Sequence, residues 1–343
     1  MGSLHNFFSS LLRSSKPSIL HLGVFGKHPG WDDHMDDFGI DAEEILAAKQ
    51  ILYNQGIGGA IDSGLWEGFE QPNALLPFGH WLLWRSGETS IFGRLWVSSD
   101  RKGRSRYPMV VCLQFNRSPS PEWIQLLTPK LEDFQRACQE TQDAAVVLQT
   151  ADRLRQDARD AFGRWCQLPN PQPVPLSVTH PACTPQEWLH LVYALDSQLA
   201  RFGKKSGREQ AGLTVRSVDA AGECESLRLP VCPLAPTDAI LYWNRVVDHW
   251  VAPEASCLFL LPDHAHWMDL LVGRPSSKNF FCLKAPGSLV PLTSQIPFEL
   301  PPEFTDCASR HLTEIFGPDA EPVSLCRAPS AGDSFPDDPP GTP

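Results

Sequence analysis

Apolar and polar positions divide the chain into short apolar runs bounded by Gly- and Pro-marked turns, with segments of helical period between them. Residues 19–26, ILHLGVFG, read as a strand entering a Gly-marked turn. Residues 41–56, DAEEILAAKQILYNQG, place Ile45, Leu46, Ala48, Ile51 and Leu52 on one stripe. That predicts a helix capped by Asp41, with Glu44 three residues on, and stopped by Gly56. HWLLWR and SIFGRLWVSS predict two strands with SGET as their hairpin connection, and MVVCLQF predicts another strand. Residues 123–162 predict two helical stretches. PQEWLHLVYALDSQLARFG predicts a helix with Thr184 as cap, Pro185 in the first turn and Gly203 at its end. DAILYWNRV, SCLFLLP and FFCLKAP predict strands, with DHAHWMDLLVG as a helix between the last two.

Hairpin-like strands mixed with helices predict an α/β (α+β) fold: a mixed or largely antiparallel central sheet flanked by helices, sandwich-like. Residues 1–18 form an N-terminal extension and 19–316 the α/β domain. Within it, residues 168–185 contain six prolines and read as an extended connection between either two halves of one domain or two domains. From Gly317 the chain turns Pro-, Ser- and Asp-rich, so residues 317–343 read as a disordered tail.

Composition narrows the class. The chain has 343 residues, 42% hydrophobic, with 11 Trp and 18 Phe, enough apolar material for one large core or two smaller ones. A formal charge of −11 argues against nucleic-acid binding through a general basic surface. The ten cysteines are scattered without C-x-x-C spacing, and most sit in apolar runs, which reads as free thiols in a reducing compartment. The N-terminal segment makes a poor signal peptide, and no apolar run is long enough to span a bilayer. A cytoplasmic protein, not integral to a membrane, is expected, and no cofactor is called for.

Two loops carry the candidate chemistry. In KHPGWDDHMDD, His28, Asp32, His34 and Asp36 alternate imidazole and carboxylate, which suits a divalent metal; the minority metal reading uses His28, Asp32 and His34. The competing reading is a solvated acidic loop before a helix. In SSDRKGRSRYP, four cations (Arg101, Lys102, Arg104, Arg106) stand against one anion, Asp100. Residues 28–44 carry seven carboxylates and no Lys or Arg. Opposite sign at two strand ends predicts that the loops lie side by side, with an Arg gripping an Asp in bidentate fashion; two independent solvated loops are the alternative.

Enzyme signatures are weak. There is no G-x-S-x-G elbow. FGKKSGRE (202–209) has Leu199 where a phosphate loop needs Gly, and NQGIGGAIDSG (54–64) has Ile61 where a dinucleotide fingerprint needs its third Gly. The latter reads instead as a flexible or left-handed loop. His264 and His266, two apart, fall on different faces of the predicted helix. A third class of reading, beside a metal-dependent hydrolase, is an anion- or phosphate-binding domain using Gly103, Arg101, Arg104 and Arg106.

Together, GVFGKHPGWDDH and SSDRKGRSRYPMVV resemble the two signature segments of the TagF/ImpM family of type VI secretion-associated proteins. The first segment is matched by Gly23, Phe25, Gly26, Lys27, Pro29 and Asp32 or Asp33. The second is matched by Ser98 or Ser99, Asp100, Arg101, Gly103, Arg104 and Pro108, with one extra residue between Arg and Pro. The aromatic-rich strand pair between them fits as well, and a fainter likeness lies at Trp243 and LFLLPDHAHWMDLLVG. The family's Gly-Asp-Phe after the Pro is replaced by Gly30-Trp31-Asp32-Asp33-His34. The resemblance covers about residues 20–115 and extends more faintly to about 285. It implies a non-enzymatic cytoplasmic regulator acting by protein–protein interaction on assembly. Its partners would be secretion-system proteins, in some systems a forkhead-associated scaffold. The expected binding or structural loop pair is Lys27, His28, Trp31, Asp32, Asp33, Asp100, Arg101, Gly103 and Arg104.

Overall fold

The computed structural model describes residues 20–68, 75–167, 184–203, 224–231, 236–263, 265–302 and 304–316. The expectations for the 1–18 extension, residues 168–183 of the Pro-rich connection, residues 204–209, His264 and the 317–343 tail lie outside these residues.

The strands are β1 (Leu20–Gly26), β2 (Gly79–Ser86), β3 (Thr89–Trp96), β4 (Met109–Phe115), β5 (Cys224–Pro230), β6 (Cys257–Pro262) and β7 (Trp267–Gly273). They form one sheet in the order β1-β4-β3-β2-β6-β7-β5, and each adjacent pair is antiparallel. Strands from both sides of the Pro-rich connection meet at the β2–β6 pair, where Leu82 stands opposite Leu260. The two halves of the chain therefore share one sheet.

The helices are α1 (Glu43–Ala48), α2 (Gly59–Asp62), α3 (Pro121–Glu140), α4 (Ala144–Gln167), α5 (Pro185–Leu199), α6 (Pro236–Val247) and α7 (Phe304–Phe316). Alternation along each strand sends side chains to two different layers. Leu22, Val24, Trp81, Leu83, Phe92, Val111, Phe259 and Leu270 join the cluster that α3 to α7 complete. Phe25, Leu82, Trp84, Leu95, Val110, Leu258 and Leu260 face the other way. There they meet the helical segment 43–62 and a 3-10 segment, Ser277–Lys284. Both faces are covered, so most strands read as unbroken apolar runs rather than alternating ones.

Local chemistry sets the helix starts. The Ser120 hydroxyl accepts from the Trp123 amide, with Pro121 at the first position of α3. Thr184 and Glu187 cap one another's backbone amides at α5, and Gly203 follows a closing 3-10 turn, as the sequence predicts. Trp123 and Trp165 stack at 5.0 Å, with Phe115 of β4 edge-on to both, which ties α3 and α4 to the sheet.

Four readings of the sequence are corrected. DAILYWNRV is helix α6: Ala239, Ile240, Trp243, Val246 and Val247 recur at helical spacing and are buried. DHAHWMDLLVG contains strand β7, with Met268, Leu270 and Val272 on one face and Asp269 and Leu271 on the other, so His266 lies before a strand rather than on a helix. FFCLKAP lies in the 3-10 segment Ser277–Lys284, opened by a Ser276–Asn279 capping box. Gly56 does not end a helix, nor is 54–64 a loop. From α1 the chain runs through π-helical Lys49–Gly58 into α2, and a left-handed residue first comes at Gly64. The glycines serve packing: a Cβ on Gly56 would stand 2.5 Å from the Phe280 ring. The start also differs, since α1 begins after Ala42, without an Asp41 cap. Two elements were not foreseen, β5 and α7.

Loop segments pack along parts of both sheet edges. On the outer side of β1, Val24 exchanges both backbone hydrogen bonds with Phe38, and the Gly26 carbonyl accepts from the Met35 amide. The Leu20 carbonyl accepts from Arg159 Nε, and Gly39 lies against the Leu22 carbonyl, where a Cβ would collide. At the other edge, the Arg228 amide of β5 donates to Thr293 Oγ1.

Candidate functional site

Register brings the two signature loops together. Gly26 at the end of β1 and Trp96 at the end of β3 both stand opposite Met109, the first residue of β4. The loop after β1 and the loop 97–108 therefore leave the sheet at the same end. Gly26 has φ of 120°, and a Cβ there would run into the Pro108 carbonyl, so glycine is required at this crossing. The next amide, Lys27, donates to that carbonyl at 3.2 Å.

At the centre is an ion pair closed off from solvent. Lys27 Nζ donates to Asp100 Oδ2 at 2.6 Å, with the two side chains 5% and 0% exposed. Asp100 also accepts from Arg104 Nε at 2.6 Å and from the Lys102 and Arg104 amides at 3.0 Å each. Burial by itself would push this carboxyl up. The hydrogen bonds from Lys27 and Arg104 outweigh it and hold the carboxyl well below the usual range. The Gly103 amide closes the turn on the Asp100 carbonyl at a φ of 77°.

Around this centre the loops are stitched by backbone as well as charge. The Arg101 amide donates to the Trp31 carbonyl at 2.8 Å, and Arg101 Nη2 donates to the Gly30 carbonyl at 2.6 Å. Arg101 Nη1 reaches Asp32 Oδ1 at 3.1 Å. Arg104 Nη2 donates to the Asp32 carbonyl at 2.8 Å and to Asp33 Oδ1 at 3.3 Å. Lys27 holds Asp33 too, at 3.0 Å, and this hydrogen bond is the main cause lowering the Asp33 pKa. The loops thus lie side by side. The expected fork of one Arg on one Asp is corrected: Arg101 divides its donors between one carboxylate and one carbonyl and Arg104 between two carboxylates and one carbonyl, because the carbonyls of 30–32 turn toward the basic loop.

His28, Asp32 and His34 do not converge. His28 is buried, with Nε2 on the Cys138 carbonyl at 2.9 Å and Nδ1 accepting from the Gly30 amide. These two partners require a neutral ring carrying its proton on Nε2, and burial lowers its pKa accordingly. The ring packs edge-on to Trp31 and docks the acidic loop against the end of α3. Asp32 is exposed on Arg101, and His34 stands beside Asp33 and the Tyr107 ring. Among the described residues, the groups whose ligand atoms do gather lie elsewhere, at Asp196, His249, Cys307, His311 and Glu314.

A cavity of about 300 Å³ adjoins the loop pair, lined by His34, Asp37, Lys49, Tyr53, Asn54 and Tyr107 among others. Tyr53 donates to the Pro108 carbonyl at 3.2 Å, and burial raises its pKa strongly. The sequence did not point to this cavity. Tyr53 lies in a helical segment and Tyr107 beside a proline, and their meeting depends on the β1–β4 register. Thiols stay out of the site: burial pushes Cys112, Cys138 and Cys224 up to about 12, which keeps them protonated. No helix among the described residues is long and apolar enough to cross a membrane.

Comparison with known proteins adds little. No family model matches the chain, and no curated protein matches it. Among solved structures it is similar to the crystal structure of PA0076 from Pseudomonas aeruginosa PAO1, at 18% identity and a TM-score of 0.27. That match covers 44% of this chain and 64% of the other, less than two thirds of its length, and is too slight to assign a role.

Proposed function

We propose that this chain is a non-enzymatic, cytoplasmic accessory protein that acts by protein–protein contact on assembly of a type VI secretion machine. This is what its resemblance to the TagF/ImpM family implies, and the contact surface is the loop pair. The observation that carries the reading is the contrast within that pair. Lys27 and Asp100 are shut away and mutually satisfied, while Asp32, Asp33, Arg101, Lys102 and Arg104 stand exposed on a backbone they hold rigid. A surface pre-ordered in this way loses little entropy when a partner docks. Its mixed charge favours a partner with complementary charge, and the partner we assign is a forkhead-associated scaffold protein.

The two other readings draw no support from the geometry. Arg101 and Arg104 already serve carboxylates and carbonyls, and Arg106 faces Glu67 at 3.4 Å, so these cations do not converge on an anion. His28 has both ring nitrogens occupied, which removes it as a metal ligand.

The test is capture by the immobilised full chain of purified secretion-machine components, the scaffold included. We expect the scaffold to be retained, and an Arg101→Glu/Arg104→Glu variant that keeps its circular dichroism spectrum to lose it. Retention by the folded variant would remove the loop pair from the interface. Failure of the unaltered chain to hold any component would overturn the secretion reading itself.

A further inference from the structure

A second constellation lies far from the loop pair in sequence, where α5, the turn after α6 and α7 meet. Cys307, His311 and Glu314 recur at four and three residues along α7, which puts them on one side of the helix, next to the buried stripe of Phe304, Ala308 and Leu312. Asp196 reaches in from α5 and His249 from the turn that follows α6.

The distances select one set of ligands. His311 Nε2 stands 3.5 Å from Cys307 Sγ and 3.4 Å from Asp196 Oδ1, and the three atoms lie within 4.8 Å of one another. Tetrahedral zinc with bonds of about 2.0–2.3 Å to sulfur, nitrogen and oxygen separates its ligand atoms by about 3.3–3.5 Å. On the other side of the ring, His311 Nδ1 is 2.8 Å from His249 Nε2. That is a hydrogen-bond distance, shorter than the roughly 3.3 Å that separates two nitrogens on one tetrahedral ion. His249 is therefore a supporting group. A metal on Nε2 leaves the His311 proton on Nδ1, and His249 Nε2 is placed to accept it, with Glu314 Oε2 3.5 Å away from that same nitrogen. Trp250 packs against both imidazoles and fixes their planes.

We propose that Cys307 Sγ, His311 Nε2 and Asp196 form a divalent-metal site selective for zinc, with the fourth position open to water. Thiolate, imidazole and carboxylate together suit this borderline-soft ion. The two anionic ligands balance its charge, and the thiol proton leaves to solvent on binding. His311 and Asp196 are 18% and 37% exposed, so an ion enters from solvent without unfolding the helices. The site bridges α5 and α7, and its loss would loosen α7 from the core.

The experiment uses the full chain, stripped with a chelator and titrated with cobalt(II) and then zinc(II). We expect one cobalt per chain with a sulfur-to-cobalt charge-transfer band, removed by one equivalent of zinc. Cys307→Ser abolishes the band, whereas Cys166→Ser, at a half-buried thiol on α4, keeps it. His249→Ala leaves the band and weakens binding by about 10–100-fold. If Cys307→Ser fails to fold, Asp196→Asn serves instead and must weaken zinc binding at least tenfold. No stoichiometric cobalt, a band that survives Cys307→Ser, or zinc affinity unchanged in Asp196→Asn would each overturn the proposal.

Discussion

Asp100 accepts four hydrogen bonds on a carboxylate with no exposed side-chain surface, so what replaces it decides the fate of two loops. Asp100→Ala leaves the buried Lys27 ammonium with Asp33 as its one remaining carboxylate and frees two amides, and is expected to raise amide hydrogen exchange through both 28–34 and 98–108. Lys27→Met leaves Asp100 its bonds from Arg104 and the backbone and is expected to disturb the loops less. Equal exchange in the two variants would show that Asp100 is not the organiser. A second residue-scale expectation concerns acid. His80 is fully buried, and burial, helped by Arg94 and Arg228, lowers its pKa to about 3, while His28 is lowered by burial in the same direction. Below the unfolded-state value of about 6.5 the unfolded chain binds protons that the folded one refuses. Stability therefore falls as pH drops below about 6.5, with His80 contributing up to about 1.4 kcal/mol per pH unit down to its folded value. Denaturant melts from pH 7.5 to 5 measure the slope. His80→Leu should flatten it, and an unchanged slope would exclude His80 as the source.

At the level of elements, one substitution is expected to act with opposite signs at two helical glycines. Gly163 in α4 has open space around it, so Gly163→Ala should stabilise by about 0.5–1 kcal/mol through helix propensity. Gly56 faces Phe280, and Gly56→Ala should destabilise, since overpacking of about 1–3 kcal/mol exceeds the propensity gain. Urea midpoints at constant slope decide both. The same balance explains what the sequence disclosed. Strands β1 to β4 were legible because Gly and Pro punctuate apolar runs. Helix α6 was misread because Ile240, Leu241, Tyr242 and Trp243 are dense in strand-favouring residues, although burial follows the helical period. Strand β5 was missed because Arg228 interrupts its apolar run. That charge is tolerated because Asp269 of β7 forks it at 2.8 and 3.0 Å. Such a pair costs about 3–5 kcal/mol to break from one side. In the site, opposite charge signalled that the loops adjoin. The burial of Lys27 on Asp100 and the sharing of each Arg between carboxylate and carbonyl were not visible, since both depend on the β1–β4 register and on backbone direction.

For the whole molecule, the shared sheet has a thermodynamic consequence. The β2–β6 pair and a continuous apolar cluster join residues on either side of 168–183, so neither part can keep its core if the other unfolds. One cooperative transition is expected, with calorimetric and van't Hoff enthalpies in agreement. Two resolved transitions would mean that the parts are thermodynamically separate despite the common sheet.

The occupied flank of β1 bears on how partners can attach. Strand addition, in which a peptide docks by extending a sheet, needs a row of free backbone donors and acceptors. Along β1, Val24 is paired on both backbone groups with Phe38, the Leu20 and Gly26 carbonyls accept from Arg159 and Met35, and Gly39 packs over the Leu22 carbonyl. From Val24 to Gly26 a visiting chain therefore meets segment 35–38 in place of an open main-chain ladder, which blunts this flank both for strand addition and for stacking of copies into fibres. Recognition here must be written in side chains.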